Sequence, residues 1–475
     1  MKRKDWERDE QMTRLGDPLV ADQYHFRQAR TIFQEGVHEY FAVHDYFIRK
    51  TPFGSYLLVN GTERVIKNLL NFRFSEEDIE GVKLIDPLSA ESDAEDYLEY
   101  LRRLRFTGDV WAIREGDLAF PNEPIIRVEG NWLETWIIES MILKSMNYAS
   151  LVATYTSKVV IAAGGRPVAD FGLRRSPGDG AGVVSTRAAF IGGMKSTSNV
   201  RGGINLGIKT SGTMSHEFVQ GYSALTGYEG NAFVIFGRHN PDNFILLIDT
   251  FDTIQGAKNA IKAAEILGMR IEALRIDSGD LAIIAKEVRK LDDRYEKFRK
   301  IIATSDLTFE LIDAMLNAKS PVDGFGVGTK MTAPSNPSAL GGIYKLSAIE
   351  GKMSRLIPTL KISGDTDKTT LPGVKNIWRR RENGKFLGDI IALNDERDPG
   401  RSYELVLQHA IINGRPLVDP YDIAYIQEFA AENISRLPDA CVRINNPEVY
   451  PVMVSDKLKE LQKELVEMNR SEKVR

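Results

Sequence analysis

The chain predicts an α/β fold whose centre is an irregular, TIM-like α/β barrel. Three observations carry that expectation. Apolar runs of strand length (VADF, LGIKT, FILLIDT, IEALRID, KIIATSD, VDGFGVGTK) alternate with helix-period stretches such as TIQGAKNAIKAAEILG and DLAIIAKEVRKLDD. Parallel strands need such crossovers, and short connections place consecutive units side by side. Polar residues recur at the ends of the runs: Asp170, Ser211-Gly212-Thr213, Asp249, Asp277-Ser278-Gly279-Asp280, Thr304-Ser305-Asp306 and Gly326-Val327-Gly328-Thr329. Chemistry spread over many strand ends favours a barrel mouth over the single crevice of a doubly wound sheet. The third observation makes the barrel irregular, because the run between Ser196 and Val200 is too polar for a strong strand.

A chain of 475 residues exceeds the size at which one core stops growing, so two or three domains are expected. Hydrophobic residues make up 43% and charged residues 27%, with a formal net charge of -4, which gives no reason to expect nucleic acid. The basic start MKRKDWER is mixed with acids and no apolar run follows it, so neither a secretory signal nor a membrane span is expected. One cysteine, Cys441, excludes an intrachain disulfide and a cysteine metal cluster. A cytoplasmic enzyme is the default expectation.

In chain order, ADQYHFRQARTIFQEG reads as a helix with an aromatic stripe and Tyr24 near its start. Residues 39–49 alternate as a strand, and the turn Thr51-Pro52-Phe53-Gly54 leads into the apolar strand SYLLVNG. From Thr62 to Leu104 the pattern is helical, broken at Asp86-Pro87, with Ser75 and Asp78 forming a loose capping box. GDVWAIREGDLAFPNEPIIRVEGN suggests a small antiparallel sheet, followed by long apolar-faced helices that end at Gly164-Gly165. A domain boundary is expected near residue 150. Beyond Ile343 the barrel pattern fades into short strands with a hairpin turn at Glu382-Asn383-Gly384. Lys361, Ser363, Lys368, Thr370, Lys375 and Arg379 make that region basic; it is either a solvated sheet or support for a phosphate. A charged helix begins at Asp456.

The candidate chemistry lies between Asp170 and Thr329. Gly326, Gly328 and Thr329 follow a strand directly, where glycines let backbone amides approach an anion. No Walker loop or dinucleotide fingerprint is present. Asp249, Asp252, Asp277 and Asp280 stand at adjacent strand ends, with Arg275 beside DSGD. Carboxylates there suit Mg²⁺ held through water and substrate phosphates, although Asp280 also reads as a helix cap. His216 opens the helix HEFVQGYSAL, where the positive dipole end favours a neutral imidazole able to act as base, ligand or nucleophile, with Glu217 to orient it. Phe171 is available to stack a flat ring. These groups together describe an enzyme for a phosphorylated substrate with a divalent cation.

The same residues closely resemble the nicotinate/nicotinamide phosphoribosyltransferase family. The resemblance rests on RKTPFGSYLLVNG, DFGLRR, TRAAFIGG, TSNV, SGTMSHEF, LLIDTFDT, LRIDSGDL, DGFGVGTK and GGIYKL, and on Asp22 and Tyr24 near the start. It implies a barrel domain over residues 150–349 and a second α+β domain built from the N-terminal and C-terminal segments, 1–149 completed by 350–475. It implies transfer of phosphoribosyl from 5-phosphoribosyl 1-diphosphate (PRPP) to nicotinate, giving nicotinate mononucleotide and diphosphate for NAD synthesis. ATP is the co-substrate, hydrolysed through a phosphohistidine at the position of His216. The acceptor ring would lie between Phe171 and a partner subunit's Tyr24 in a homodimer with shared sites. Arg174 and Arg275 match arginines near ring and phosphates, Asp249 and Asp277 match acids near ribose and Mg²⁺, and Gly326-Gly328-Thr329 match the phosphate loop. Thr197, Ser198 and Ser211 join the substrate-binding set. Two smaller points concern Thr304, where serine is common in the family, and SPGDGAG, either a closing loop or variable surface.

Two alternatives remain at this point. The amide-using enzyme of the family places an aspartate where Ser198 stands here, so a carboxylate substrate avoids a like-charge clash. A non-catalytic PRPP- or nucleotide-binding protein would have no need of His216.

Overall fold

The computed structural model describes residues 14–90, 94–292, 294, 296–364, 368–417 and 421–471; the basic segment MKRKDWER lies outside the described residues. The chain divides into two compact units, one of Met1–Leu151, Ala339–Val442 and Pro447–Arg475, the other of Val152–Ser338 and Arg443–Asn446.

The first unit is mixed α+β. Its seven-stranded antiparallel sheet runs Leu356–Pro358, Gly342–Glu350, Phe41–Ile48, Ile126–Asn131, Asp109–Ala112, Gln408–Ile412, Arg415–Pro416. Phe41–Ile48 sits in the middle with seven of its eight residues buried, too apolar for an edge. Helices Gln23–Gln34, Thr62–Leu70, Glu76–Ile85 and Glu95–Arg103 contribute to the core around Phe26, Val65, Ile79 and Leu98. The capping box of Ser75 and Asp78 forms on Glu76–Ile85. SYLLVNG yields only the short strand Leu57–Leu58, paired with Leu118–Ala119.

A second sheet in this unit contains the expected hairpin, Lys375–Glu382 and Lys385–Leu393, turning on Asn383 (φ +50°) and Gly384 (φ +77°). Two of its basic residues are held by carboxylates. Lys375 is buried 2.8 Å from Asp45, and Arg379 is buried 2.8 Å from Asp389 and 2.7 Å from Asp117. A buried cation without a partner costs several kcal/mol, so these pairs hold the strands in register rather than awaiting a ligand.

The second unit carries a six-stranded parallel sheet in the order Ser196–Thr197, Val168–Asp170, Gly324–Val327, Phe298–Ala303, Ile271–Ile276, Ile245–Leu247. Helices alternate with these strands and are capped as their sequences suggest: Asp252 caps Thr253–Leu267 and Asp280 caps Leu281–Arg289. The anticipated strand LGIKT does not form. Gly207 ends the helix Val200–Leu206 at φ +67°, and the polar segment beyond contributes one bridge, Thr210 to Thr197. The described sheet therefore stays open between Thr210 and Ile245–Leu247, where the Asn243 amide donates to the Gly212 carbonyl at 2.9 Å. SPGDGAG is not a loop throughout, since Asp179 already begins the helix Asp179–Ile191 behind Gly178 at φ +108°.

Candidate functional site

All six parallel strands point the same way, so residues just beyond their carboxyl ends share one edge of the sheet. A cavity of about 500 Å³ lies there, walled by Phe171, Arg174, Ser198, residues 212–216, Arg275, Asp277, residues 304–306, Gly326, Gly328 and Thr329.

His216 is the first residue of the helix His216–Thr226, capped by Ser215, whose hydroxyl accepts from the Phe218 amide at 3.2 Å. Its Nδ1 lies 3.2 Å from the Thr250 hydroxyl and its Nε2 3.7 Å from Asp277 Oδ2. Thr250, the last residue of the run FILLIDT, thus takes the neighbouring role expected of Glu217. Asp277 receives the Thr304 hydroxyl on Oδ1, and its own amide donates to Asp249 Oδ2 at 2.9 Å. Ser278 donates to the same Asp249 oxygen at 2.6 Å, while Asp249 Oδ1 is buried with no hydrogen-bond partner among the described residues. Arg275 Nη2 donates to the Met214 carbonyl at 3.1 Å, and its Nε is buried without a partner among the described residues. Burial pushes the Arg275 guanidinium below its ordinary value, and Asp277 and Asp249 oppose that shift.

The glycines do more than open space for an anion. Neither Gly326 nor Gly328 has a positive φ; a Cβ on Gly326 would lie 2.6 Å from the Phe171 ring, and one on Gly328 2.7 Å from the Phe171 carbonyl. The Phe171 amide in turn donates to Val327 at 2.8 Å. Their smallness seats Phe171 against the neighbouring strand.

Thr197 and Ser211 do not line this cavity. Thr197 is buried and donates to Asp170 Oδ2 at 2.7 Å, because its register opposite Asp170 turns the hydroxyl inward. Ser211 bonds Ser196 at 2.8 Å and faces a second cavity of about 710 Å³, which meets the first at Phe171, Gly212 and Thr213. Tyr24 lies in the other unit, at the start of Gln23–Gln34, with its ring exposed and its hydroxyl 3.2 Å from Glu139. Burial, then Glu139, pushes that phenol up to about 12. Among the described residues, no group of three or more His, Cys, Asp or Glu could hold a metal ion.

Several wall residues have no role in the sequence reading, among them Ser305 and Asp306. Ser305 and Asp306 follow the strand Phe298–Ala303, and Ser305 has φ +115°. A non-glycine in that region costs of order 1–3 kcal/mol and is found at sites the surroundings over-determine. The only sequence signal was the polar triplet after an apolar run.

Comparison with known proteins adds independent information. The chain matches the nicotinate phosphoribosyltransferase (NAPRTase) N-terminal domain over residues 19–147, the NAPRTase family over 167–375 and the C-terminal domain over 400–462. It is 36% identical to a Bacillus subtilis nicotinate phosphoribosyltransferase, covering 92% of this chain and 93% of the relative. It is 31% identical to the Caenorhabditis elegans nicotinate phosphoribosyltransferase, covering 94% and 92%. Human nicotinic acid phosphoribosyltransferase superposes with a TM-score of 0.79 at 25% identity, covering 94% of this chain and 99% of that one.

Proposed function

Because this chain belongs to the nicotinate phosphoribosyltransferase family, we propose that the strand-end cavity is where it joins phosphoribosyl to nicotinate for NAD synthesis. The observation that carries the assignment is the convergence of His216, Asp277, Arg174, Arg275 and the Gly326–Thr329 turn on one cavity wall. Breaking the C1–diphosphate bond builds positive charge on the ribose and negative charge on the leaving group. Asp277 favours the former; the amides and hydroxyl of the Gly328-Thr329 turn, with Arg275, favour the latter. Phe171 offers a face to the acceptor ring, and Arg174 pairs its carboxylate. Ser198 leaves that carboxylate free of a like-charge neighbour. Thr197 and Ser211 act from behind the wall rather than by touching substrate.

Mg²⁺ fits Asp249 and Asp277, because Asp249 Oδ1, unpartnered among the described residues, is a hard carboxylate donor. Two side chains are too few for a protein cage, so Asp249 and Asp277 would hold the ion together with water and substrate phosphates, and it would supply charge stabilisation to the diphosphate. ATP is the co-substrate: His216, at a helix N-terminus, takes its phosphoryl group, which the first-turn amides then stabilise. The six parallel strands are read as an incomplete TIM-like barrel, and the two compact units as its catalytic domain and a companion α+β domain. The working form is a cytoplasmic homodimer in which the partner subunit's Tyr24 covers the acceptor. Its support is that the Tyr24 ring is exposed.

The test is product formation by the purified protein from PRPP with nicotinate or nicotinamide, with and without ATP. Nicotinate is expected to be strongly preferred and ATP to stimulate. Equal turnover of both acceptors, or none, would remove the assignment.

A further inference from the structure

Asp170 has no place on the cavity wall, yet two of the wall's segments hang from it. Its carboxylate accepts the Gly172 amide on Oδ1 at 2.8 Å and the hydroxyls of Thr197 and Thr186 on Oδ2 at 2.7 and 3.2 Å. Its carbonyl accepts the Ser198 amide at 2.7 Å. Asn199 closes the ring from the other side: its backbone amide donates to the Thr197 hydroxyl at 3.0 Å and its side-chain amide to the Thr186 hydroxyl at 3.1 Å. The orientation of that side chain is set, because Asn199 Oδ1 accepts from the Gly202 amide at 3.0 Å. Asp170, Thr186, Thr197 and Asn199 are all buried.

Asn199 offers only hydrogens to the two threonine oxygens, so both hydroxyl hydrogens are free to point at Asp170. Three donors converge on the carboxylate, one on Oδ1 and two on Oδ2. Burial raises the Asp170 pKa, and the bonds from Thr197, Gly172 and Thr186 oppose that rise without cancelling it. Hydrogen bonds to a charged acceptor are the stronger kind.

From this geometry we infer that Asp170, held by Thr186, Thr197 and Asn199, is the positioning residue for acceptor recognition. It fixes the Phe171–Arg175 turn and Ser198 in one relative placement, so that the stacking ring and the group facing the acceptor's carboxylate stay in register. The inference rests on the reading of Phe171 and Ser198 given above. None of the four residues touches substrate.

Thr197→Val is nearly isosteric and removes one hydroxyl, whereas Thr197→Ser keeps it. In the full chain, Thr197→Val is expected to raise the nicotinate KM on the order of tenfold. It should lower the preference for nicotinate over nicotinamide and leave acceptor-independent ATP hydrolysis near the wild-type rate. Thr197→Ser should restore both acceptor constants. Thermal melting of each variant separates a loosened site from a lost fold. If Thr197→Val does not fold, Asp170→Asn, which keeps the shape and one acceptor oxygen, is read in the same way. A folded variant of either kind with wild-type acceptor KM and selectivity would overturn the inference. So would an equal loss of ATP hydrolysis and acceptor affinity, the mark of a merely structural role. A wild-type protein without nicotinate turnover would instead sink the functional reading, which keeps the two failures apart.

Discussion

Gly326→Ala tests the site at its tightest point. The added methyl would meet Phe171 Cε2 at 2.6 Å, Phe171 Cδ2 at 2.7 Å and Thr304 Cγ2 at 2.7 Å. Carbon atoms pack at about 3.5–4.0 Å, so roughly an ångström must be found. The backbone has little room to give, since the Phe171 amide is bonded to Val327 and Gly326 is paired in register with Ala169. The softest response is rotation of the Phe171 ring toward the cavity. Because Gly326 has no positive φ, alanine carries no backbone strain and should lower unfolded-chain entropy, worth ~0.4–1 kcal/mol in favour of folding. Overpacking costs about 1–3 kcal/mol, so the global loss is at most about 2–3 kcal/mol. The acceptor, however, loses its platform: misplacing the ring should raise the nicotinate KM about five- to a hundredfold while PRPP-dependent constants change little. Steady-state kinetics with nicotinate and PRPP varied separately, alongside thermal melting, give both readouts. Gly328→Ala is the contrast, because its methyl meets the Phe171 carbonyl, which cannot rotate away, and should show chiefly as lost stability. A Gly326→Ala protein with wild-type nicotinate KM would refute the packing of Phe171 as the acceptor platform.

Other outcomes follow from the same geometry. His216→Ala should abolish ATP hydrolysis and ATP stimulation together while slow ATP-independent transfer survives; an unchanged ATP requirement would remove His216 from phosphoryl transfer. Thr250→Val, which takes away the partner of His216 Nδ1, should weaken ATP hydrolysis by roughly tenfold without raising the nicotinate KM, and equal effects on both would contradict it. Ser198→Asp should weaken nicotinate binding by more than it weakens nicotinamide binding, since only nicotinate brings a like charge; a parallel loss of both would argue against Ser198 facing that group. His44 is buried with both ring nitrogens unpartnered among the described residues, stacked on Tyr344 at 5.0 Å, and burial, aided by Lys345, pushes it down to about 3. Its folded value lies below its unfolded one, so its contribution is complete above about pH 6.5 and is lost as pH falls toward 3, by up to ~1.4 kcal/mol per pH unit. His44→Phe should flatten denaturation midpoints between pH 7 and pH 4.5 by about that slope, and an unchanged pH dependence would contradict the buried neutral ring.

Sequence alone determined what depends on neighbours along the chain. Alternation of apolar runs identified the parallel strands, and local capping chemistry located helix starts at Glu76 and Leu281. The Asn383-Gly384 turn set the hairpin. Because parallel strands share a direction, polar strand ends such as Asp277 and Gly326 were bound to face one edge, which made most of the cavity wall legible. Tertiary structure decided which polar atom each residue meets, since that depends on contacts far apart in the chain. Asp170 and Thr197 are 27 positions apart and Asp249 and Asp277 are 28 apart, and no local pattern reports either pair. The same dependence turned Thr197 inward, buried Lys375 and Arg379 against carboxylates, and left LGIKT as a single bridge. Strand and helix periods record which face of an element is apolar; the partner of a buried charge is chosen only when distant segments pack, where an unpaired charge is too costly to keep.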